Sequence, residues 1–259
     1  MSALFVIARE DPRDLALARE AERLGWSVLR LPLFAAEPGP DRGRFLEWLR
    51  EPPHGASIAW TSRRAAQALA EIALPRSREV LARLPLFAVG EESAAPMRDA
   101  GIDVEVCPDR RGAASLAEWM IGRREALQIA RVAFLHGDKA LPTLPDALRA
   151  AKMEPELFEI YRTRFLAPDV GAIDAALEAG GPVTVAFLSP SGVEALERLL
   201  SPKAVARLRE GAEVVPRGET TYEALAARGY RRARSPLDDT RAFDAIALEA
   251  LQSRQRTAR

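Results

Sequence analysis

Ile58-Ala59-Trp60-Thr61-Ser62 and Val185-Ala186-Phe187-Leu188-Ser189 are two versions of one pattern, 127 positions apart: an apolar run that ends in hydroxyl-bearing residues. Each reads as a buried strand entering a helix. Gly90-Glu91-Glu92-Ser93 and Gly218-Glu219-Thr220-Thr221 repeat in the same way at a spacing of 128, and the helices that follow end at Gly101 and Gly229, again 128 apart. The opening strand and Asp11 fall on Ala133-Phe134-Leu135 and Asp138, and Leu31 to Phe34 fall on Phe158 to Tyr161. Agreement of several segments in one register points to an internal duplication.

Around these segments, short apolar runs alternate with amphipathic stretches along the whole chain, the pattern of an α/β protein. Leu4 to Ala8 reads as a buried strand, Asp11 as a helix N-cap with Pro12 at the first helical position and Asp14 in the first turn, Gly25 as the helix end, and Ser27 to Leu31 as the next strand. Further strands are expected at 57–61, 86–89, 103–106, 131–135, 156–160, 183–187, 212–216 and 231–234, with a closing helix from Arg241 to Ser253. Ten strands divide more naturally into two five-stranded parallel sheets than into one. Proline and glycine break the pattern at 35–43 and again at 164–171, at equivalent places in the two repeats. A chain that crosses between lobes at both breaks gives one lobe from 1–31 plus 170–259 and another from 44–157. The crossings, 32–43 and 158–169, then pair as an extended two-stranded linker. Two consecutive domains split near residue 127 are the competing arrangement.

Composition narrows the function. Apolar residues make up 48% of 259, and 37 basic residues balance 37 acidic ones. Zero net charge argues against a chain built to coat nucleic acid. Only three of the basic residues are lysine (Lys139, Lys152, Lys203); arginine grips carboxylates as a planar fork, which lysine does not. One cysteine, Cys107, excludes an internal disulfide, and His54 and His136 lack metal-ligand spacing. The first residues show no signal-peptide pattern and no run is long enough to span a bilayer, so a soluble cytoplasmic protein without metal is expected.

Chemistry is expected at the strand–turn–helix junctions. Gly90 and Gly218 end parallel strands and allow close backbone approach to a ligand, while Ser93, Thr220 and Thr221 open the helices whose free N–H groups attract anions. Thr61, Ser62, Ser189 and Ser191 stand at the second pair of junctions. Ligands of open α/β sheets gather at the carboxyl ends of strands. No G-x-S-x-G elbow is present, so these hydroxyls do not form a nucleophilic triad. A receiver-like signalling module is disfavoured, because Thr61-Ser62 occupies the strand end where its phosphorylatable aspartate belongs.

In order, the segments TSRRA, AVGEESAAPMRDAG, GAASLAEWM, HGDKALPTLPDAL, FEIYRT, FLSPSGVEAL and PRGETTYEALAARG resemble uroporphyrinogen-III synthase, the tetrapyrrole-cyclising enzyme family, over nearly the whole chain. The resemblance implies two flavodoxin-like lobes joined by paired linkers, with the site in the cleft. It implies a lyase of porphyrin and heme biosynthesis that needs no cofactor. Linear hydroxymethylbilane loses water to give an azafulvene cation. Attack by the last ring at its substituted carbon then forms a spiro intermediate, and fragmentation with reclosure inverts that ring. The substrate carries eight carboxylates, which helix N-termini and hydroxyls suit. The implied partner set is the small-molecule substrate, with transient contact to hydroxymethylbilane synthase, no nucleic acid, no membrane, and a monomeric state.

Residue by residue, Tyr161 matches the family's linker tyrosine and is the candidate to assist departure of the hydroxyl, as proton donor or through a water. Thr220 and Thr221, Ser93, the pair Thr61 and Ser62, and the pair Ser189 and Ser191 match substrate-contacting hydroxyls. Arg9 matches a basic residue after the first strand. Three departures stand out: Ala8-Arg9-Glu10 where Thr-Arg-Pro is frequent, Leu188 where threonine is common, and Glu91 and Glu219 after the two glycines. They motivate an alternative, a non-catalytic tetrapyrrole-binding or regulatory relative that has kept the cleft.

Overall fold

The computed structural model describes residues 3–9, 14–109, 112–235 and 243–257. In chain order the elements are β1 (Leu4–Ile7), α1 (Leu15–Arg23), β2 (Ser27–Arg30), β3 (Phe34–Pro38), α2 (Arg42–Arg50), β4 (Ala56–Trp60), α3 (Arg63–Leu81), β5 (Leu86–Val89), α4 (Gly90–Arg98), β6 (Glu105–Cys107) and α5 (Ala113–Arg123). They continue with β7 (Arg131–Gly137), α6 (Thr143–Ala150), β8 (Glu154–Phe165), α7 (Gly171–Glu178), β9 (Val183–Phe187), α8 (Pro190–Leu199), α9 (Pro202–Gly211), β10 (Glu213–Pro216), α10 (Glu219–Ala227) and α11 (Phe243–Thr257). Asp11 and Pro12, expected to open the first helix, and Arg241, expected to open the last, lie outside the described residues.

The chain divides into two compact units, Met1–Ala35 with Phe165–Arg259, and Ala36–Arg164. Unit 1 contains the sheet β10-β9-β1-β2 and unit 2 the sheet β3-β8-β7-β4-β5-β6. Every pairing of β1, β2, β9 and β10, and every pairing among β4 to β8, is parallel. Set side by side, β1, β2, β9 and β10 take the same places in their sheet as β7, β8, β4 and β5 in theirs. The sequence duplication is thus a duplication of strand order.

Both sheets are buried on two faces, which is why their strands read as apolar runs rather than alternating ones. In β1, Leu4 and Val6 pack with Val183, Val185 and Phe187 of β9 and with Val193 and Leu196 of α8. Phe5 and Ile7 point the other way, onto Leu17, Ala18 and Ala21 of α1 and Leu251 of α11. In unit 2, Ile58, Trp60, Ala133 and Leu135 face α3 and α4, while Ala59, Val132 and Phe134 face α5 and α6. Burying each of the larger of these side chains (Val, Leu, Ile, Phe) contributes about 1.5–3 kcal/mol, and each alanine less.

The expected five-plus-five division of strands is corrected to four and six. The segment at 231–234 makes only one bridge, Ala233 to Val214. Val214 N–H donates to the Arg232 carbonyl and Arg234 N–H to the Val214 carbonyl, a single narrow pair too short for a ladder. On the other side, residues 34–38, expected as part of an extended linker paired with 158–169, form β3 and join the sheet as its edge strand. The Gly39 amide donates to the Ile160 carbonyl at 3.1 Å and the Leu166 amide to the Leu33 carbonyl at 2.9 Å, so β3 runs antiparallel to β8. As an edge strand it tolerates Pro38 at its end.

Asp41 closes the turn from β3 into α2. Its carboxylate accepts from the Arg44 guanidinium at 3.2 Å and from the Glu159 amide at 2.9 Å. The Arg44 hydrogen bond first, then the Glu159 amide, hold the Asp41 carboxyl below the usual carboxylate range. A depressed folded-state pKa contributes stability above the unfolded value, near pH 4, and loses it as pH falls through the folded value. Asp41→Asn is therefore expected to cost about 1 kcal/mol at neutral pH, discounted for partial exposure. The gap between the two melting temperatures should shrink steadily below about pH 4. A gap independent of pH would refute the carboxylate's role.

Candidate functional site

In unit 2 the chain leaves β7 through α6 to reach β8 on one side, and leaves β4 through α3 to reach β5 on the other. The two connections diverge between the adjacent strands β7 and β4. A crevice opens at the carboxyl ends of the strands at such a point. A cavity of about 320 Å³ lies there, lined by Thr61 and Ser62 after β4, His136 to Leu141 at and after the end of β7, and Tyr161 and Thr163 in β8.

Ser62 leaves the extended strand and caps α3, its Oγ accepting from the Ala65 amide at 3.1 Å. The same Oγ stands 3.1 Å from the Tyr161 hydroxyl. Thr163 is held from both ends: its amide donates to the Asp138 carboxylate at 3.0 Å, and its Oγ1 accepts from Arg64 at 3.1 Å. His136 Nδ1 is 2.9 Å from the Gly137 carbonyl. A carbonyl only accepts, so Nδ1 carries the proton and Nε2 is the ring's other polar atom. Asp138 and Lys139 are exposed on the rim. The cavity thus combines two paired hydroxyls, an imidazole, one carboxylate and one ammonium. Such a set can move protons and hold anions. Among the described residues no three His, Cys, Asp or Glu side chains converge as a metal set, and no helix is long and apolar enough to cross a membrane.

At the neighbouring junction Gly90 adopts φ +71°, the left-handed region that favours glycine, and starts α4. Ser93 is buried one turn into that helix, and its carbonyl accepts from Trp60 Nε1 at 2.7 Å. Glu91 is paired with Arg98. Neither Gly90 nor Ser93 lines the cavity.

In unit 1 the candidates come from the carboxyl ends of three neighbouring parallel strands, β1, β9 and β10. Ser189 caps α8, accepting from the Gly192 amide at 3.2 Å, and lies 3.1 Å from the Ser191 hydroxyl. Gly218 caps α10 in extended backbone, φ −166°. Thr220 is exposed, whereas Thr221 is 3% exposed and donates its amide to the Gly218 carbonyl. Arg9 is held as a fork by the buried carboxylate of Asp14, at 2.6 and 2.9 Å.

Sequence reading did not single out His136, Gly137, Asp138, Lys139 or Thr163. A signal existed: the 127-residue repeat places His136 on Arg9, so the loop after β7 stands where Arg9 is a candidate in the other half.

The family model described as uroporphyrinogen-III synthase HemD matches residues 16–240. A mutant uroporphyrinogen III synthase from the extremely thermophilic bacterium Thermus thermophilus shares the fold with a TM-score of 0.62, at 19% identity, covering 99% of this chain and 100% of that one. The uroporphyrinogen-III synthetase of Helicobacter pylori 26695 gives a TM-score of 0.56 at 16% identity, over 100% of both chains. No curated protein sequence matches. With the family model spanning most of its length, the chain belongs to the uroporphyrinogen-III synthase family, enzymes of tetrapyrrole biosynthesis.

Proposed function

We propose that the chain closes linear hydroxymethylbilane to uroporphyrinogen III from the rim of unit 2, with Tyr161 as the catalytic residue and no cofactor. The observation that carries this reading is the hydroxyl pair, Tyr161 Oη and Ser62 Oγ at 3.1 Å, on the wall of a cavity at the carboxyl end of the sheet. The first step asks for one proton. It passes from Tyr161 Oη, or from a water held there, to the hydroxymethyl oxygen of the substrate. The carbon–oxygen bond breaks, water leaves, and an azafulvene cation remains. The last ring attacks through its substituted carbon, the spiro intermediate fragments and recloses with that ring inverted, and loss of one proton from the closing ring carbon, returned to the donor, leaves water as the net product released. Unguided closure gives the uninverted isomer, so holding the ring geometry matters more than acid strength.

Thr61, Ser62 and the amides following Gly90 at Ser93's helix are assigned as contacts for the carboxylate arms. Arg9, Ser189, Ser191, Gly218, Thr220 and Thr221 are assigned the same role from unit 1. This reading carries with it two flavodoxin-like lobes, 1–31 with 170–259 and 44–157, connected through 32–43 and 158–169. It also carries a cytoplasmic monomer that receives hydroxymethylbilane from the synthase that makes it.

The test supplies hydroxymethylbilane from that synthase and separates the product isomers. The type III isomer, formed faster than spontaneous closure, is expected. Type I alone, at the spontaneous rate, would overturn the assignment. Tight tetrapyrrole binding without inversion would instead identify a non-catalytic relative.

A further inference from the structure

Gly137 is the last residue of β7, and its backbone does not adopt the left-handed conformation that usually explains a glycine. What it lacks is room. A Cβ built on Gly137 would lie 2.5 Å from Tyr161 Cζ, 2.6 Å from Cε2 and 2.8 Å from the hydroxyl oxygen. Contacts below 3.0 Å do not occur at a real Cβ, so the tyrosine ring lies directly over the space a side chain would fill. The clashing atoms are the far end of a half-buried side chain, held by packing against core residues of unit 2 and by the hydroxyl's contact with Ser62, so an added methyl would displace the ring from that position.

The pairing of β7 with β8 explains how the ring arrives there. From Arg131 opposite Glu154 to His136 opposite Glu159 the register is constant. The next pair would set Ile160 against Gly137. Instead the register shifts between His136 and Gly137, and Tyr161 becomes the partner of Gly137. One extra residue in β8, a bulge of the kind that re-aims side chains beside active sites, brings the tyrosine over the glycine. Ile160 is left fully buried in the core.

We infer that Gly137 is a positioning residue for Tyr161: its missing side chain is the seat that holds the tyrosine hydroxyl beside Ser62 in the cavity. This rests on the catalytic role proposed for Tyr161. Adding one methyl group pushes the ring away from Ser62, while Ser62 keeps its own place through the Ala65 amide.

The experiment compares Gly137→Ala, Tyr161→Phe and the double variant for isomer formation, with Gly137→Ala/Tyr161→Ala for stability. Gly137→Ala is expected to lower kcat by at least tenfold with KM within about twofold, since a small displacement of a reacting group is costly. In the Tyr161→Phe background the same change should lower kcat no further, because no hydroxyl is left to misplace. Thermal melting supplies the steric readout: Gly137→Ala should lower the melting temperature when Tyr161 is present and leave it unchanged when residue 161 is alanine. Native kcat in Gly137→Ala, or losses that multiply in the double variant, would overturn the inference. If Tyr161→Phe itself turns over normally, the catalytic reading of Tyr161 fails, while the melting comparison still decides whether the glycine seats the ring.

Discussion

Tyr161→Phe is expected to lower kcat by about two orders of magnitude while KM and the melting temperature stay close to native. A positioned proton donor contributes roughly 10²–10⁴ in rate. The substrate is held chiefly through its carboxylates, and the tyrosine hydroxyl is not one of those anchors, so KM should move little. Stability should fall by no more than about 1 kcal/mol, the net worth of one hydrogen bond. The partner is not orphaned, because Ser62 Oγ keeps the Ala65 amide. The ring itself stays packed on its apolar neighbours. Steady-state kinetics with isomer separation, beside a thermal melt, checks all three. Native kcat removes Tyr161 from the chemistry; a large loss of melting temperature would make its role structural.

Trp60→Ala is expected to cost about 3–5 kcal/mol, the range for truncating a fully buried aromatic. Trp60 has no exposed surface and ends the central strand β4 immediately before Thr61 and Ser62. Its indole Nε1 donates to the buried carbonyl of Ser93 at 2.7 Å, fastening β4 to α4. Truncation leaves a cavity and removes the indole hydrogen bond, while the Ser93 carbonyl, inside α4, keeps its place in the helical ladder. Trp60→Phe separates the two: most of the apolar volume returns, and about 0.5–1.5 kcal/mol should remain from the lost indole hydrogen bond. Urea denaturation of the three proteins measures the series. A loss below about 1 kcal/mol in Trp60→Ala would mean the site collapses around the void and Trp60 is not the fastening described.

The repeat was legible because its signals are local. The apolar parts of both segments, Ile58 to Trp60 and Val185 to Phe187, become the buried ends of central strands, and Ser62 and Ser189 both cap the helices that follow, each accepting from the amide three residues on. Gly101 and Gly229 both adopt positive φ after their helices. Caps, strand cores and helix ends each depend on a few neighbouring residues, so a single sequence displays them. The candidate site was legible in part. Thr61, Ser62 and Tyr161 line one cavity. Ser93, in contrast, is buried beneath Trp60, and Arg9 spends its fork on Asp14. Partners such as these are chosen by packing, and no spacing in the chain announces them.

By itself, the sequence determined the duplicated α/β pattern, the strand ends that carry hydroxyls, and membership of the family, since all three are written in periodicity and short motifs. The tertiary structure alone decided that residues 34–38 join the six-stranded sheet as its edge through β8, that 231–234 contributes no more than a bridge, and that one extra residue at Ile160 turns Tyr161 over Gly137. Strand register and edge pairing are set by which segments of distant sequence meet, and a slip of one residue reverses the face every side chain presents.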